Sequence, residues 1–99
     1  MRVIAVRTLR EFWQRPGRRD AERPLRAWFR EAKRAEWRSP ADIRKTHASA
    51  SIVADNRVIF NVAGNKYRLV VKINYPYGVV YVRFIGTHRD YDGIDAETV

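Results

Sequence analysis

Apolar and polar residues alternate most regularly along residues 67–74. One set of positions holds Tyr67, Leu69, Val71 and Ile73, and the other holds Arg68, Val70, Lys72 and Asn74. A period of two is typical of a β-strand that buries one face and leaves the other open. The pattern therefore predicts a strand whose open face carries Arg68 and Lys72.

Flanking segments with the same alternation predict a three-stranded antiparallel meander. Their inward residues are Val58, Phe60 and Val62 before the central strand and Val80, Val82 and Phe84 after it. We expect the last hairpin to pair Leu69 with Phe84 and, further along, Val71 with Val82, so that the apolar sets share one face. The opposite face then presents Arg68, Lys72, Tyr81 and Arg83.

The first half of the chain predicts one short strand and two or three helices. Val3, Ile4 and Val6 indicate the strand, and Thr8 with Glu11 has the spacing of a capping box at a first helix. A second helix is predicted from Ala21 or Pro24 to Glu36, because its apolar residues recur every three or four positions. Ser39 and Pro40 suit the start of a short third helix that reaches about His47.

These elements predict one α+β domain over residues 1–99, with an acidic tail at about 93–99. The N-terminal strand comes first, and the helices pack on one face of an antiparallel sheet that ends in the meander. The other face of the sheet is expected to be open and to carry the chemistry.

Residues 86–92 place titratable groups at the end of this basic face. His88 brings an imidazole, Tyr91 a phenol and Asp92 a carboxylate, and such groups can move or orient protons. A polar turn in which Tyr91 merely packs on the sheet is the alternative interpretation of the same residues.

The charge of the chain favours a polyanionic partner. The chain has 20 Lys and Arg residues and 11 Asp and Glu residues, which gives a net charge of +9. This charge suits either a nucleic acid or an acidic protein as the partner.

The absence of Cys excludes thiolate metal sites and a cysteine nucleophile. His47 and His88 lie far apart in sequence without a metal-binding spacing, so no metal and no cofactor are expected. An all-oxygen site around Asp90, Asp92 and Asp95 is the alternative to a solvated acidic tail, which is the favoured interpretation of these residues. No segment resembles a signal peptide or a membrane span, which makes a cytoplasmic protein without a membrane partner the default expectation.

Three motifs resemble the HigB-type branch of the RelE-like toxins. They are PLRAWFREAKRAEWRSPADIRKTH, FNVAGNKYRLVVKINY and VYVRFIGTHRDYD, and the resemblance extends from about Arg2 to Asp92. It implies a RelE-like fold and the toxin of a type II toxin–antitoxin pair. Such a toxin cleaves messenger RNA, typically on the ribosome, and is neutralised by a helix-turn-helix antitoxin of the HigA type, with which it can form a hetero-oligomer.

We expect an endoribonuclease in which the RNA supplies its own nucleophile, a 2′-hydroxyl group, without a metal ion. Arg68 and Arg83 would stabilise the developing charge, and His88 and Tyr91 would act as acid–base groups, with Asp92 orienting one of them. The residues expected to bind RNA are Lys66, Lys72, Tyr81 and Arg89.

A non-enzymatic binder is the alternative function. It would be either a gyrase inhibitor of the ParE type on the same fold or a basic nucleic-acid-binding module. Cleavage is favoured because a pure binder needs cations but has no need of the proton-transfer groups at His88 and Tyr91.

Overall fold

A computed structural model of the protein describes residues 1–53 and 56–99. Within these ranges the elements are β1 (Arg2–Ile4), α1 (Val6–Trp13), a short 3-10 helix (Arg19–Ala21), α2 (Glu22–Arg34), α3 (Pro40–Thr46), β2 (Ser51–Val53), β3 (Arg57–Val62), β4 (Tyr67–Asn74), β5 (Val79–Thr87) and α4 (His88–Asp92). The strands form a five-stranded mixed sheet in the order β1-β5-β4-β3-β2. Only β1 pairs in parallel, with β5, and the other neighbouring strands of the described sheet are antiparallel. The α+β prediction is confirmed.

The core lies between the first three helices and one face of the sheet. The sheet supplies the predicted inward residues Val58, Phe60, Leu69, Val71 and Val82, and the helices supply Leu9, Phe12, Leu25, Trp28 and Ile43. Aromatic contacts cross this layer, since the rings of Phe12 and Tyr67 lie 5.1 Å apart, edge to face. Burial of these apolar surfaces is the main force that holds the helices on the sheet.

A β-bulge in β5 corrects the predicted pairing of the last hairpin. Val71 pairs with Val82 as predicted, but Leu69 pairs with Ile85 and Val70 with Phe84. Val70 and Val71 are adjacent in β4, but Arg83 stands between their partners in β5. This extra residue reverses which β5 side chains face the core beyond the bulge. Ile85 therefore enters the core in place of Phe84, which is half-buried on the opposite face.

The face of the sheet opposite the helices is not open, contrary to prediction. Ile59 and Val70 lie on that face by register, yet they are 6% and 0% exposed. The chain returns over this face after β5: α4 contacts β4 and β5, and Val99 reaches side chains of β3 and β5. Helix α4 and Val99 therefore lie over part of this face.

Several boundaries also differ from the predictions. Helix α1 begins at Val6, because Ala5 adopts a left-handed conformation (φ 71°) that turns the chain directly out of β1. Thr8 consequently lies inside the helix and does not cap it, and Glu11 pairs with Arg7. Strand β2 and helix α4, both short, were not predicted.

Candidate functional site

Helix α4 holds the predicted acid–base residues against the sheet. Thr87 caps the helix through a reciprocal pair of hydrogen bonds with Asp90, in which the Asp90 backbone N–H donates to Oγ1 of Thr87 and the Thr87 N–H donates to Oδ2 of Asp90, both at 3.1 Å. Such a capping box satisfies two backbone donors at the start of a helix. The five residues of α4 thereby continue directly from the last strand.

Gly86 allows this helix to approach the strand closely. A Cβ atom at this position would lie 2.7 Å from Cζ of Phe84 and 2.9 Å from Cβ of Asp90, both closer than side-chain contacts permit. Gly86 also pairs with Arg68 across the hairpin. The missing side chain therefore leaves room for the first turn of α4 beside the strand position that faces Arg68.

Arg68 and Tyr91, two predicted site residues, are in direct contact. The guanidinium carbon of Arg68 lies 4.6 Å from the centroid of the Tyr91 ring, a cation–π arrangement. Nε of Arg68 and Nε2 of His88 are both buried, and neither has a hydrogen-bond partner among residues 1–53 and 56–99. The site thus contains two buried nitrogen atoms without a hydrogen-bond partner in the described protein, which is uncommon.

Arg83 lies on the same face but is held by a different part of the chain. Its Nε donates to the main-chain oxygen of Val99 at 3.2 Å. Arg57 donates to the same oxygen from Nε at 3.2 Å and from Nη2 at 3.0 Å. Two guanidinium groups from β3 and β5 therefore converge on a single oxygen atom.

A cleft of about 440 Å³ lies between α1 and the outer edge of β5. Its walls include Phe12 and Arg15 from the helix, Arg83 and Phe84 from the strand, and Asp90 from α4. The cleft therefore combines two cations, Arg15 and Arg83, and two carboxylates, Glu11 and Asp90, with apolar surface.

The pKa of Asp90 lies below its usual range, chiefly because its carboxylate accepts a hydrogen bond from the Thr87 backbone. Thr87 also contributes through its side chain, and the positive charges of Arg18 and Arg15 act in the same direction. Asp90 is consequently ionised at neutral pH and complements the cations around the cleft.

The remaining predicted residues are dispersed. Lys66 is engaged in an ion pair with Asp20, whose pKa is lowered by hydrogen bonds from Lys66 and Tyr67. Lys72 is exposed and stands opposite Tyr81 in the β4–β5 register. Arg89 is exposed on α4.

Asp92, the last residue of α4, is also exposed. Within the described ranges its carboxylate makes no hydrogen bond to His88 or Tyr91, so the expected orienting contact is not formed in this structure.

Two cations near the site were missed at the sequence level. Arg57 is 6% exposed and lies on the same face as Arg68. The alternation of the inward residues Val58, Phe60 and Val62 already indicated that the side chain at position 57 lies on the opposite face. Arg15 belongs to the Arg-rich segment after α1, where no periodic pattern indicated that it would line a cleft. Among the described residues, no three His, Asp or Glu side chains cluster as a metal ion would require.

Fold and site together define a small basic α+β protein with an arginine-rich sheet face and a short C-terminal helix that carries titratable groups. The family of HigB toxins, described as the RelE-like toxic component of a toxin-antitoxin system, matches residues 21–94 of the 99-residue chain. The chain belongs to this family, which confirms the resemblance drawn from its motifs. It is the toxin of a toxin–antitoxin system, and an antitoxin partner follows from that membership.

Comparison with curated proteins gives no match. None of the described helices is long and apolar enough to cross a bilayer.

Proposed function

We propose that this toxin is an endoribonuclease that cleaves messenger RNA, on the ribosome, and so stops translation. The observation that carries the proposal is the contact between Arg68 and Tyr91, beside a helix whose first residue, His88, keeps a buried nitrogen without a partner among the described residues. A cation in contact with a phenol, on the same short helix as an imidazole, supplies the charge stabilisation and the proton-transfer groups that phosphodiester cleavage needs.

The proposed reaction balances without a co-reactant. The 2′-oxygen of one nucleotide forms a bond to the adjacent phosphorus while the bond from phosphorus to the 5′-oxygen breaks. A general base accepts the 2′-hydroxyl proton, and a general acid gives a proton to the 5′-oxygen as it leaves. The products are a 2′,3′-cyclic phosphate and a free 5′-hydroxyl group.

The side chains have distinct roles in this scheme. Arg68 and Arg83 stabilise the negative charge that develops on the phosphorane oxygens, and His88 and Tyr91 exchange the two protons. Lys72, Tyr81 and Arg89 are assigned to RNA binding, together with Lys66 once its ion pair with Asp20 opens. Asp92 remains the candidate for orienting His88 or Tyr91, through a movement of α4 on RNA binding.

The toxin would act in the cytoplasm and would be silenced there by a helix-turn-helix antitoxin of the HigA type. The excess of cations in the helical half, 14 Lys and Arg against 6 Asp and Glu in residues 1–45, suits an acidic surface on such a partner. The antitoxin and the RNA could therefore use different parts of the molecule.

Induced expression followed by mapping of transcript ends tests the proposed activity. We expect new 5′-hydroxyl ends within translated messages shortly after induction, and none with Arg68→Ala. Loss of one charge-stabilising group should slow cleavage on the order of 10²- to 10³-fold. The matched control is Arg7→Ala, which removes an exposed arginine of α1 whose side chain is 86% exposed. Intact messages accompanied by DNA breaks would instead support a gyrase inhibitor and contradict the proposal.

A further inference from the structure

Arg57 and Arg83 form a ready-made site for an oxygen-rich anion. Three N–H groups, two from Arg57 and one from Arg83, point at the main-chain oxygen of Val99 within 3.0–3.2 Å. Arg57 is 6% exposed, so its guanidinium is held in place by its surroundings and is not a freely moving surface group. Planar guanidinium forks fixed in this way match the geometry of phosphate oxygens.

Both arginines lie on the sheet face that carries Arg68. Arg57 stands opposite Lys72 in the β3–β4 register, and Arg83 is the bulged residue of β5 between Val82 and Phe84. The bulge turns Arg83 out of the regular alternation and toward the oxygen that Arg57 also contacts. Without this extra residue in β5, Arg83 would not reach the oxygen that Arg57 contacts in the present geometry.

The C-terminal segment 94–99 occupies this site. It is folded on itself by hydrogen bonds from the Thr98 and Val99 N–H groups to the Asp95 carbonyl oxygen, at 3.1 and 2.9 Å. Asp95 and Glu97 make the segment acidic, and both are exposed. The segment thus places a main-chain oxygen at two guanidinium groups, the position that an oxygen of a bound polyanion would take.

We infer that the Arg57–Arg83 pair binds a phosphodiester group of the RNA and that segment 94–99 occupies this site until RNA displaces it. The inference rests on the proposed function and extends it, because it assigns Arg57 to RNA binding and makes the C-terminal segment a competitor of the substrate. The phosphate bound here would lie on the same face as the reacting one and would position the strand for cleavage. Arg57 is a positioning residue in this account.

Affinity for a fully 2′-O-methylated RNA, which lacks the attacking hydroxyl, tests the competition. Deletion of residues 94–99 should tighten binding about tenfold, because the competing segment is gone. The double variant Asp95→Asn, Glu97→Gln is the matched control: it removes the same two charges but keeps the main-chain oxygen at the two arginines. We expect it to tighten binding by clearly less than the deletion does.

Arg57→Gln, made both in the full chain and in the chain without residues 94–99, completes the test. It should weaken RNA binding about tenfold in the deleted chain and much less in the full chain, where the site is already occupied. Arg7→Ala should have the same small effect in both. Equal affinities for the deletion and the charge control, together with no effect of Arg57→Gln, would overturn the inference.

A measurement on the full chain guards against a deletion that fails to fold, since Val99 also links β3 and β5 through Arg57 and Arg83. The side-chain Nε–H resonances of Arg57 and Arg83 should shift when the 2′-O-methylated RNA is added, and inorganic phosphate at high concentration should shift them in the same direction. If RNA binds and neither resonance moves, the site is wrong while the proposed function stands. If the chain neither binds nor cleaves RNA on ribosomes, the proposed function fails and this site fails with it.

Discussion

Tyr91 is the residue at which packing and proton transfer can be separated. Its ring lies under the Arg68 guanidinium, so part of its role is to hold that cation, and the phenol oxygen alone is available for acid–base chemistry. Tyr91→Phe keeps the ring and removes the hydroxyl group. We expect single-turnover cleavage by this variant to slow by about 10²- to 10⁴-fold while RNA affinity stays nearly constant.

Tyr91→Leu is the companion variant, because it removes the aromatic face as well. It should lower both the cleavage rate and the RNA affinity, since Arg68 loses the surface on which it rests. A Tyr91→Phe protein that cleaved at the parental rate would remove the phenol from the mechanism and leave proton transfer to His88.

At the scale of elements, the close packing of α4 on β5 depends on Gly86. An alanine Cβ would meet Phe84 and Asp90 at 2.7 and 2.9 Å, so the helix must shift outward. We expect Gly86→Ala to lower the free energy of unfolding by about 1–3 kcal/mol, as overpacking does elsewhere. Cleavage should fall more steeply than stability, because the shift also moves His88 and Tyr91.

Gly93→Ala is the matched control at the other end of α4. Its backbone has an ordinary negative φ of −88°, and the nearest atom to an added Cβ, the Asp90 carbonyl oxygen, lies at 3.5 Å. Chemical denaturation and ribosome cleavage would be measured on both variants. Equal, small effects of the two substitutions would show that α4 does not need its close approach to the strand.

The capping box gives α4 a dependence on acidity. Because the hydrogen bond from the Thr87 backbone lowers the pKa of Asp90 in the folded protein, this carboxylate stabilises the fold fully above the pKa of an unfolded Asp, about 3.9. That contribution is lost as the pH falls through the lower, folded-state pKa. We therefore expect the first turn of α4 to loosen in acid, at a pH below the ordinary titration range of Asp.

A local signal is needed to observe this transition, because the pKa values of Asp20 and Asp42 are also lowered and these groups titrate in the same acidic range. The amide resonance of Thr87, which donates to the Asp90 carboxylate, reports on the capping box alone. It should titrate in the parental protein and not in Asp90→Asn. A Thr87 resonance that titrated identically in both proteins would assign the transition to another group.

For the molecule as a whole, the sequence predicted what periodicity and length control. The alternation along β4 correctly placed Tyr67, Leu69, Val71 and Ile73 in the core and gave the pairing of Val71 with Val82. It could not reveal the bulge at Arg83, because Phe84 and Ile85 are both apolar and either could face the core. Val70, an apolar residue on the supposedly open face, was a signal that something covers it. The capping-box spacing of Thr87 and Asp90 was likewise a signal of a helix start, although α4 was not predicted.

The placement of the candidate site residues could be predicted only in part. The contact between Arg68 and Tyr91 joins a strand to a later helix, and parity together with chain order placed both at one end of the sheet. The convergence of Arg57 and Arg83 depends on the bulge and on the return of the chain after α4. Such tertiary placement is not encoded in local spacing, so the alternation indicated the face of Arg57 but not its meeting with Arg83.

The distribution of charge over the whole molecule leads to a last prediction, about the path of the RNA. Binding to phosphates releases counterions, so the slope of log affinity against log salt falls by about 0.7 for each phosphate of a single strand that the protein no longer neutralises. Arg15 lines the cleft beside β5 together with Arg83, whereas Arg34 lies exposed near the end of α2, next to Trp37 and His47. We expect Arg15→Ala to reduce this slope by about 0.7, the value for one phosphate. Arg34→Ala removes the same charge and should leave the slope unchanged. Both would be measured with 2′-O-methylated RNA over a range of salt concentrations. Equal reductions in the two variants would mean that the RNA also runs over the helices, and the surface left for an acidic antitoxin would then have to overlap with that of the substrate.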